Sequence, residues 1–185
     1  MMRSWAVFDS PVQNALRAIK YRRNIGLADA IAVDMVEFVR MLKWKVEVLI
    51  PIPLGKARLQ ERGYNQVALV ARPLAYELGI SYAPHGGRKV RETRSQVGLT
   101  AAERRENVRA AFQADPSEVK RKSVLLMDDV ATTGSTISAC AEAALSAGAS
   151  GIINCTPVGM VGYDGTPLPR ASLTSGHWVF DAVYT

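Results

Sequence analysis

Apolar residues recur along this chain with two periods, near 3.6 and near 2, and together they lay out a series of helices and strands. Pro11 to Arg23 (PVQNALRAIKYRR) sets Val12, Leu16, Ile19 and Tyr21 near one helical face, with Pro11 suited to the first turn and basic residues in the last. Gly26 interrupts the pattern. Leu27 to Lys43 resumes it as a second amphipathic helix, with Ile31, Met35, Phe38 and Leu42 at steps of three and four. Val46 to Ile52 (VEVLIPI) is a β-branched run stopped by Pro51 and Pro53, expected as the first core strand. Asn65 caps a helix reaching about Leu78, with Pro73 expected at a turn boundary or a kink. Ser81 to Arg88 should hold a weak strand. Thr100 and Glu103 form a capping box for a short helix ended by Asn107 and Val108, after which Ala110 to Phe112 returns to strand. From Ser123 to Gly148 the pattern is sharpest: a buried strand (Val124 to Met127), an acidic pair (Asp128, Asp129), a polar loop (Ala131 to Ser135), then a helix. Gly159 to Gly176 is rich in Gly and Pro, and His177 to Tyr184 (HWVFDAVY) reads as a terminal strand. The expected architecture is α/β, an open and mainly parallel sheet with helices on both faces, in one domain spanning 1–185 with the 159–185 tail unassigned.

Composition narrows the class. A chain of 185 residues, 48% hydrophobic and 22% charged, can bury a substantial core. No apolar run is long enough to cross a bilayer, and the opening MMRSWAVFDSP lacks the apolar core of a signal peptide, so no membrane is expected and the expected compartment is the cytoplasm. Cys140 and Cys155 lack metal-ligand spacing and are expected as buried free thiols. The formal charge of +6 is unevenly placed: Pro51 to Phe112 carries eleven Lys and Arg against five Asp and Glu. A polyanion, pyrophosphate or a nucleic-acid backbone, suits that segment, as does a plain solvated face.

Candidate chemistry concentrates behind Met127. Gly134 lets backbone approach a ligand closely, and the helix that follows directs its unpaired N–H groups at the loop, a ready anion site. Two carboxylates beside that site would repel a bare phosphate but suit sugar hydroxyls or a metal. A ribose 5-phosphate satisfies both halves. There is no G-x-G-x-x-G and no G-x-x-x-x-G-K-S/T, against a dinucleotide or P-loop site. An acidic pair behind 127 residues also argues against a phosphoryl-accepting receiver domain.

The stretch DDVATTGST resembles the phosphoribosyl-pyrophosphate (PRPP) motif of type I phosphoribosyltransferases. Further segments narrow the resemblance: P-x-P-L, R-x-x-x-R-G-Y-N-Q (Arg58, Arg62, Gly63, Tyr64, Asn65, Gln66), Arg88 with Thr93, Gln96 and Leu99, and Arg104, Asn107, Val108, Ala111 and Phe112. With the early LRAIKYRR, which contains Lys20, these are similar to ComF-type competence proteins, a branch of that superfamily, over about Leu16 to Val158. The resemblance implies that Asp128 and Asp129 hold ribose hydroxyls, while Ala131, Thr132, Thr133, Gly134, Ser135 and Thr136 wrap the 5-phosphate. It implies that Pro53, Leu54, Gly55, Lys56 and Arg58 bind pyrophosphate, under a small flexible flap whose Arg91 and Arg94 neutralise the leaving group, with Gly98 as hinge. Mg²⁺ is expected with PRPP, and no residue is expected as a metal ligand in its own right. The implied activity is transfer of the 5-phosphoribosyl group to an unidentified acceptor with release of pyrophosphate. The alternative is a non-catalytic adaptor in DNA uptake that meets single-stranded DNA or a helicase partner through the basic middle segment, where no aromatic-interleaved basic stretch is visible and Tyr64 and Phe112 read as core. Dimers are common in the superfamily, so a homodimer is one possible oligomer, and the sequence leaves the oligomeric state open. Two departures stand out. The cysteine-rich zinc module that opens many family members is not seen, so no zinc is expected, and Gly159 to Thr185 matches nothing in the family.

Overall fold

The computed structural model describes residues 2–7, 10–93, 100–130, 134–159 and 178–180. Its centre is a parallel sheet. Strand β2 (Val48–Pro51) pairs with β6 (Ser123–Met127), β6 with β7 (Gly151–Gly159), and β2 on its other side with the short β3 (Ser81–Tyr82). Two further strands share the far edge of β7: β8 (Trp178–Phe180) along its first residues and β1 (Met2–Val7) along the rest, both parallel. A separate antiparallel hairpin joins β4 (Gly87–Lys89) to β5 (Phe112–Ala114). The α/β class and mainly parallel sheet read from the sequence are what the chain forms.

A parallel strand buried on both faces should be apolar throughout, and β2 is, as is β6 after its first residue, Ser123. Val48, Ile50, Val124 and Leu126 point to one side, into a core with Ile137, Cys140, Ala141 and Ala144 of α7 (Ser135–Ser146). Leu49, Leu125 and Met127 point to the other, against α2 (Ile25–Met41) and α4 (Gln66–Leu78). The strand period of two thus divides one hydrophobic run between two helical layers. The hairpin and α5 (Ala101–Val108) pack over the α7 side through Val108, Ala111 and Phe112. The Thr100–Glu103 capping box forms as expected, and a short α6 (Pro116–Val119) leads into β6. Among the described residues, no helix is long and apolar enough to cross a membrane.

Several boundaries differ from expectation for local reasons. Helix α1 (Ser10–Arg22) buries Leu16 and Ile19, but Tyr21 is 75% exposed. Tyr21 lies two residues beyond Ile19, about 200° around a helix, and cannot share its face. Gly26 falls inside the first turn of α2 instead of breaking it, because the Asn24 side chain accepts the Leu27 N–H and sets the helix start earlier. Helix α4 starts at the expected Asn65 cap and continues past Pro73 to Leu78. The basic segment after β2 contains a two-turn helix, α3 (Lys56–Arg62), which Gly63 ends in the left-handed conformation with φ 76°. Strand β1 carries no expectation from the periodicity; of HWVFDAVY only Trp178–Phe180 is described, and it forms β8. Cys140 is buried and free; the side chain of Cys155, on β7, lies outside the described residues.

Candidate functional site

Open α/β sheets bind ligands beyond the carboxyl ends of their strands, where neighbouring strands send their connections in opposite directions. That point here lies between β2 and β6: the chain leaves β2 through α3 and α4 to β3 on one side, while β6 lies on the other. Pro51 is level with Met127, and the Ile52 N–H donates to the Met127 carbonyl (2.8 Å), holding the two strand ends together. The Asn65 amide donates to the Ile52 carbonyl (2.9 Å) while its oxygen caps α4. The Pro53–Arg58 segment and the Asp128–Asp129 pair, far apart in sequence, therefore leave the sheet side by side.

The acidic pair is built against protein. Asp129 N–H donates to Asp128 Oδ1 (2.8 Å). Lys20 Nζ at the end of α1 reaches Asp129 Oδ2 (2.7 Å), and Gln66 Nε2 at the start of α4 donates to the same oxygen (2.9 Å). Gln66 is buried, and its amide oxygen in turn accepts from Arg62 Nη1. Behind the carboxyls lie the apolar side chains of Leu16, Ile19, Val67, Val70 and Met127. Withdrawal from water, followed by the neighbouring charge of Asp129, pushes Asp128 up to about 8, against partial relief from the Asp129 N–H and Lys20. The pair thus holds a proton at neutral pH unless a ligand supplies positive charge or hydroxyl donors. Such a pair can accept from a diol or share a cation.

Gly134, with φ 68°, opens α7, whose first residue Ser135 is buried. Ala131, Thr132, Thr133 and Arg94 lie outside the described residues. Gly55 is the buried N-cap of α3, and a Cβ placed on it would run into the Glu92 carboxylate, so a carboxylate already rests against this backbone. Lys56 and Arg58 are exposed on α3. Arg91, expected over the anion, donates to the carbonyls of Asn107 (3.0 Å) and Arg109 (2.6 Å) and fastens the end of α5. Arg88 donates to Gln113 across the hairpin (2.9 Å). Lys89 is pulled below its ordinary range by burial, opposed by Glu92; its ammonium donates to Thr93 (2.7 Å) and lies 6.0 Å from the Phe112 ring centre.

Three contributors escape a residue-by-residue reading of the chain. Lys20 belongs to the site, though it lies 109 positions before its partner. Gln66 sits at the start of an apolar helix, where a buried polar side chain signals a bonded partner. Tyr64 is half-buried, and its hydroxyl donates toward the carbonyls of Ile19 (2.6 Å) and Lys20 (2.9 Å) while accepting the Arg23 N–H (3.2 Å), which ties α1 to the α3–α4 turn. Around that tie the Arg62 guanidinium lies 5.7 Å from the Tyr21 ring centre and that of Arg23 5.6 Å from Tyr64. The signal that could have found them was the polar RGYNQ run and the LRAIKYRR segment, which acquire meaning only when superposed. Among the described residues no cluster of three His, Cys, Asp or Glu could hold a metal alone. The two adjacent carboxyls fit a magnesium ion held mainly by oxygens of a bound ligand.

No protein-family model matches the chain. Curated relatives do. It is 30% identical over 148 residues to a DNA utilization protein YhgH of Salmonella typhimurium, spanning 77% of this chain and 65% of that one. It is 40% identical over 93 residues to competence protein F of Haemophilus influenzae (49% and 41% of the two chains) and 26% identical over 147 residues to competence protein ComFC of Bacillus subtilis (79% and 58%). The chain therefore spans less than two thirds of the length of these relatives, 65% of the YhgH protein and 58% of ComFC. Solved structures similar to it include the glutamine PRPP amidotransferase of B. subtilis, at TM-score 0.49, 19% identity and 71% and 26% coverage. Another is an adenine phosphoribosyltransferase of Thermoanaerobacter pseudethanolicus, at TM-score 0.45, 16% identity and 75% and 83% coverage.

Proposed function

We propose that this chain, a sequence relative of the ComF-type competence proteins, binds PRPP and transfers its 5-phosphoribosyl group to an acceptor, releasing pyrophosphate. The observation that carries this reading is the meeting of its two expected half-sites at the β2–β6 switch point. Asp128 and Asp129 accept from the ribose 2- and 3-hydroxyls, and the start of α7 at Gly134, Ser135 and Thr136, with Thr132 and Thr133, takes the 5-phosphate. Pro53, Leu54 and Gly55 present backbone to the pyrophosphate, with Lys56 and Arg58 on α3 supplying charge. In the reaction the bond from the anomeric carbon to pyrophosphate breaks and a bond to the acceptor forms, so the protein's task is positioning and charge stabilisation without a covalent nucleophile. When bound, magnesium would lie on Asp128 and Asp129 with substrate oxygens and supply positive charge to the departing pyrophosphate. Arg91 serves the flap by holding α5, and Arg94 remains the arginine proposed to face the leaving group.

Calorimetric titration of PRPP with Mg²⁺ into the wild type and the Asp128→Asn/Asp129→Asn variant tests the reading. Binding in the wild type that is lost in the variant supports it; equal binding by both rejects the assignment of the acids. Turnover is then read as pyrophosphate release with candidate acceptors.

A second reading has its own observation. At the end of α1, Arg17, Arg22 and Arg23 are exposed and Tyr21 stands out beside Arg62 of α3. An exposed aromatic ring between cations suits single-stranded nucleic acid, whose bases stack while phosphates pair. This surface, unlike Arg88 and Arg91, is not engaged in holding the hairpin and flap together. Single-stranded DNA binding that weakens steeply with salt and drops in Tyr21→Ala/Arg62→Ala supports it; no binding at low salt removes it.

A further inference from the structure

We propose that Lys20, together with Gln66, is a positioning residue for ribose recognition: the two fix Asp129 through one oxygen so that its other oxygen is presented to the sugar diol. The inference rests on the reading of the acid pair given above. Its basis is the convergence of two donors on a single atom. Lys20 Nζ and Gln66 Nε2 both bind Asp129 Oδ2, at 2.7 and 2.9 Å, and neither uses Oδ1. On the other side, Asp128 is oriented through its Oδ1 by the Asp129 N–H. The donors therefore turn each carboxyl by one oxygen, and the two carboxyls also meet side chain to side chain.

The donors are themselves held. Tyr64 binds the carbonyls of Ile19 and Lys20, so the end of α1 cannot drift from the site. Arg62 donates to the Gln66 amide oxygen, which leaves the amide nitrogen for Asp129 and decides the orientation of that side chain. A chain of contacts, Tyr64 to Lys20 and Arg62 to Gln66, thus ends on one carboxylate oxygen. The choice of lysine also has a reason. An ammonium is a point charge that can satisfy one oxygen, whereas the planar fork of an arginine favours both oxygens of a carboxylate at once. Lysine neutralises Asp129 and leaves it able to accept; arginine would close it.

The test compares ribose 5-phosphate with 2-deoxyribose 5-phosphate by calorimetry, with inorganic phosphate as control, in the wild type, Lys20→Met, Lys20→Arg and Gln66→Leu. One hydrogen bond to a charged group sets the expected wild-type preference for ribose at about 10-fold. That preference should fall to about 2-fold or less in Lys20→Met and Lys20→Arg and shrink partially in Gln66→Leu, while phosphate affinity stays within about 2-fold. A merely structural role would weaken all three ligands together, and that result overturns the proposal. A preference kept in Lys20→Met and Gln66→Leu overturns it as well, with the acid-pair reading intact. A wild type that binds both sugar phosphates without preference overturns the acid-pair reading, and this proposal falls with it.

Discussion

Replacing Asp128 with Asn should stabilise the protein at neutral pH, and the gain should depend on pH in a defined way. Asp128 is raised from 3.8 to about 8 by burial and by the charge of Asp129. The sign follows from linkage. The folded state binds this proton more tightly than the unfolded one, so the contribution to stability is fully present below about pH 4 and is lost as pH rises towards 8. At about 1.36 kcal/mol per unit, a shift of roughly four units sets a ceiling of about 6 kcal/mol lost above pH 8, and about 4 kcal/mol at pH 7. Local rearrangement and water entry relieve part of a buried charge's cost, so we expect Asp128→Asn to gain about 1–3 kcal/mol at pH 7. Asn keeps an acceptor for the Asp129 N–H and the same shape, so little else changes. Urea unfolding at pH 4.5, 7 and 9 measures it: the difference between variant and wild type should be smallest at the lowest pH and grow through this window. A variant less stable than wild type at pH 7, or a difference constant from pH 4.5 to 9, refutes the reasoning. The stabilised variant should also lose PRPP binding, which would make the acid pair a site kept at the expense of stability.

Further outcomes follow from other contacts. Tyr64→Phe removes the hydroxyl that ties α1 to the α3–α4 turn; we expect a loss of about 1–2 kcal/mol in urea unfolding and faster amide exchange at the end of α1. Arg91→Ala leaves the Asn107 and Arg109 carbonyls without their donor, and exchange protection should fall in α5 while β2 and β6 stay protected. Leu125→Ala, at a fully buried position between β6 and the α2–α4 layer, should cost about 2–5 kcal/mol by loss of packing. Gly55→Ala meets only the end of the flexible Glu92 side chain and keeps an ordinary φ of −65°, so its cost should stay below about 1 kcal/mol while inorganic pyrophosphate binding weakens.

Most of the elements were legible in the sequence because their determinants are local. Thr100 and Glu103 specify a capping box with no help from the rest of the chain, and Asn65 places the start of α4 through its own side chain. The run VLLM behind Ser123 is apolar at every position, which marks a strand covered on both faces, and the acids, the left-handed Gly134 and α7 follow within a few residues. Where local rules compete, one wins: the Asn24 cap overrides Gly26, and helical geometry turns Tyr21 away from Ile19.

The class of fold, the order of its main elements and the chemistry of the loop after β6 are therefore written locally, since each depends on neighbours within about ten positions. Tertiary structure alone decided which distant residues meet. The parallel pairing of β2 with β6 sets Pro53–Arg58 beside Asp128. Packing of α1 against the α3–α4 turn brings Lys20 and Gln66 onto one oxygen of Asp129 and sets Arg62 beside Tyr21. No spacing along the chain encodes those contacts, because they arise from how two helical layers close on a sheet. The same closure withdraws Asp128 from water and raises it to about 8, a property that an aspartate has only through its surroundings.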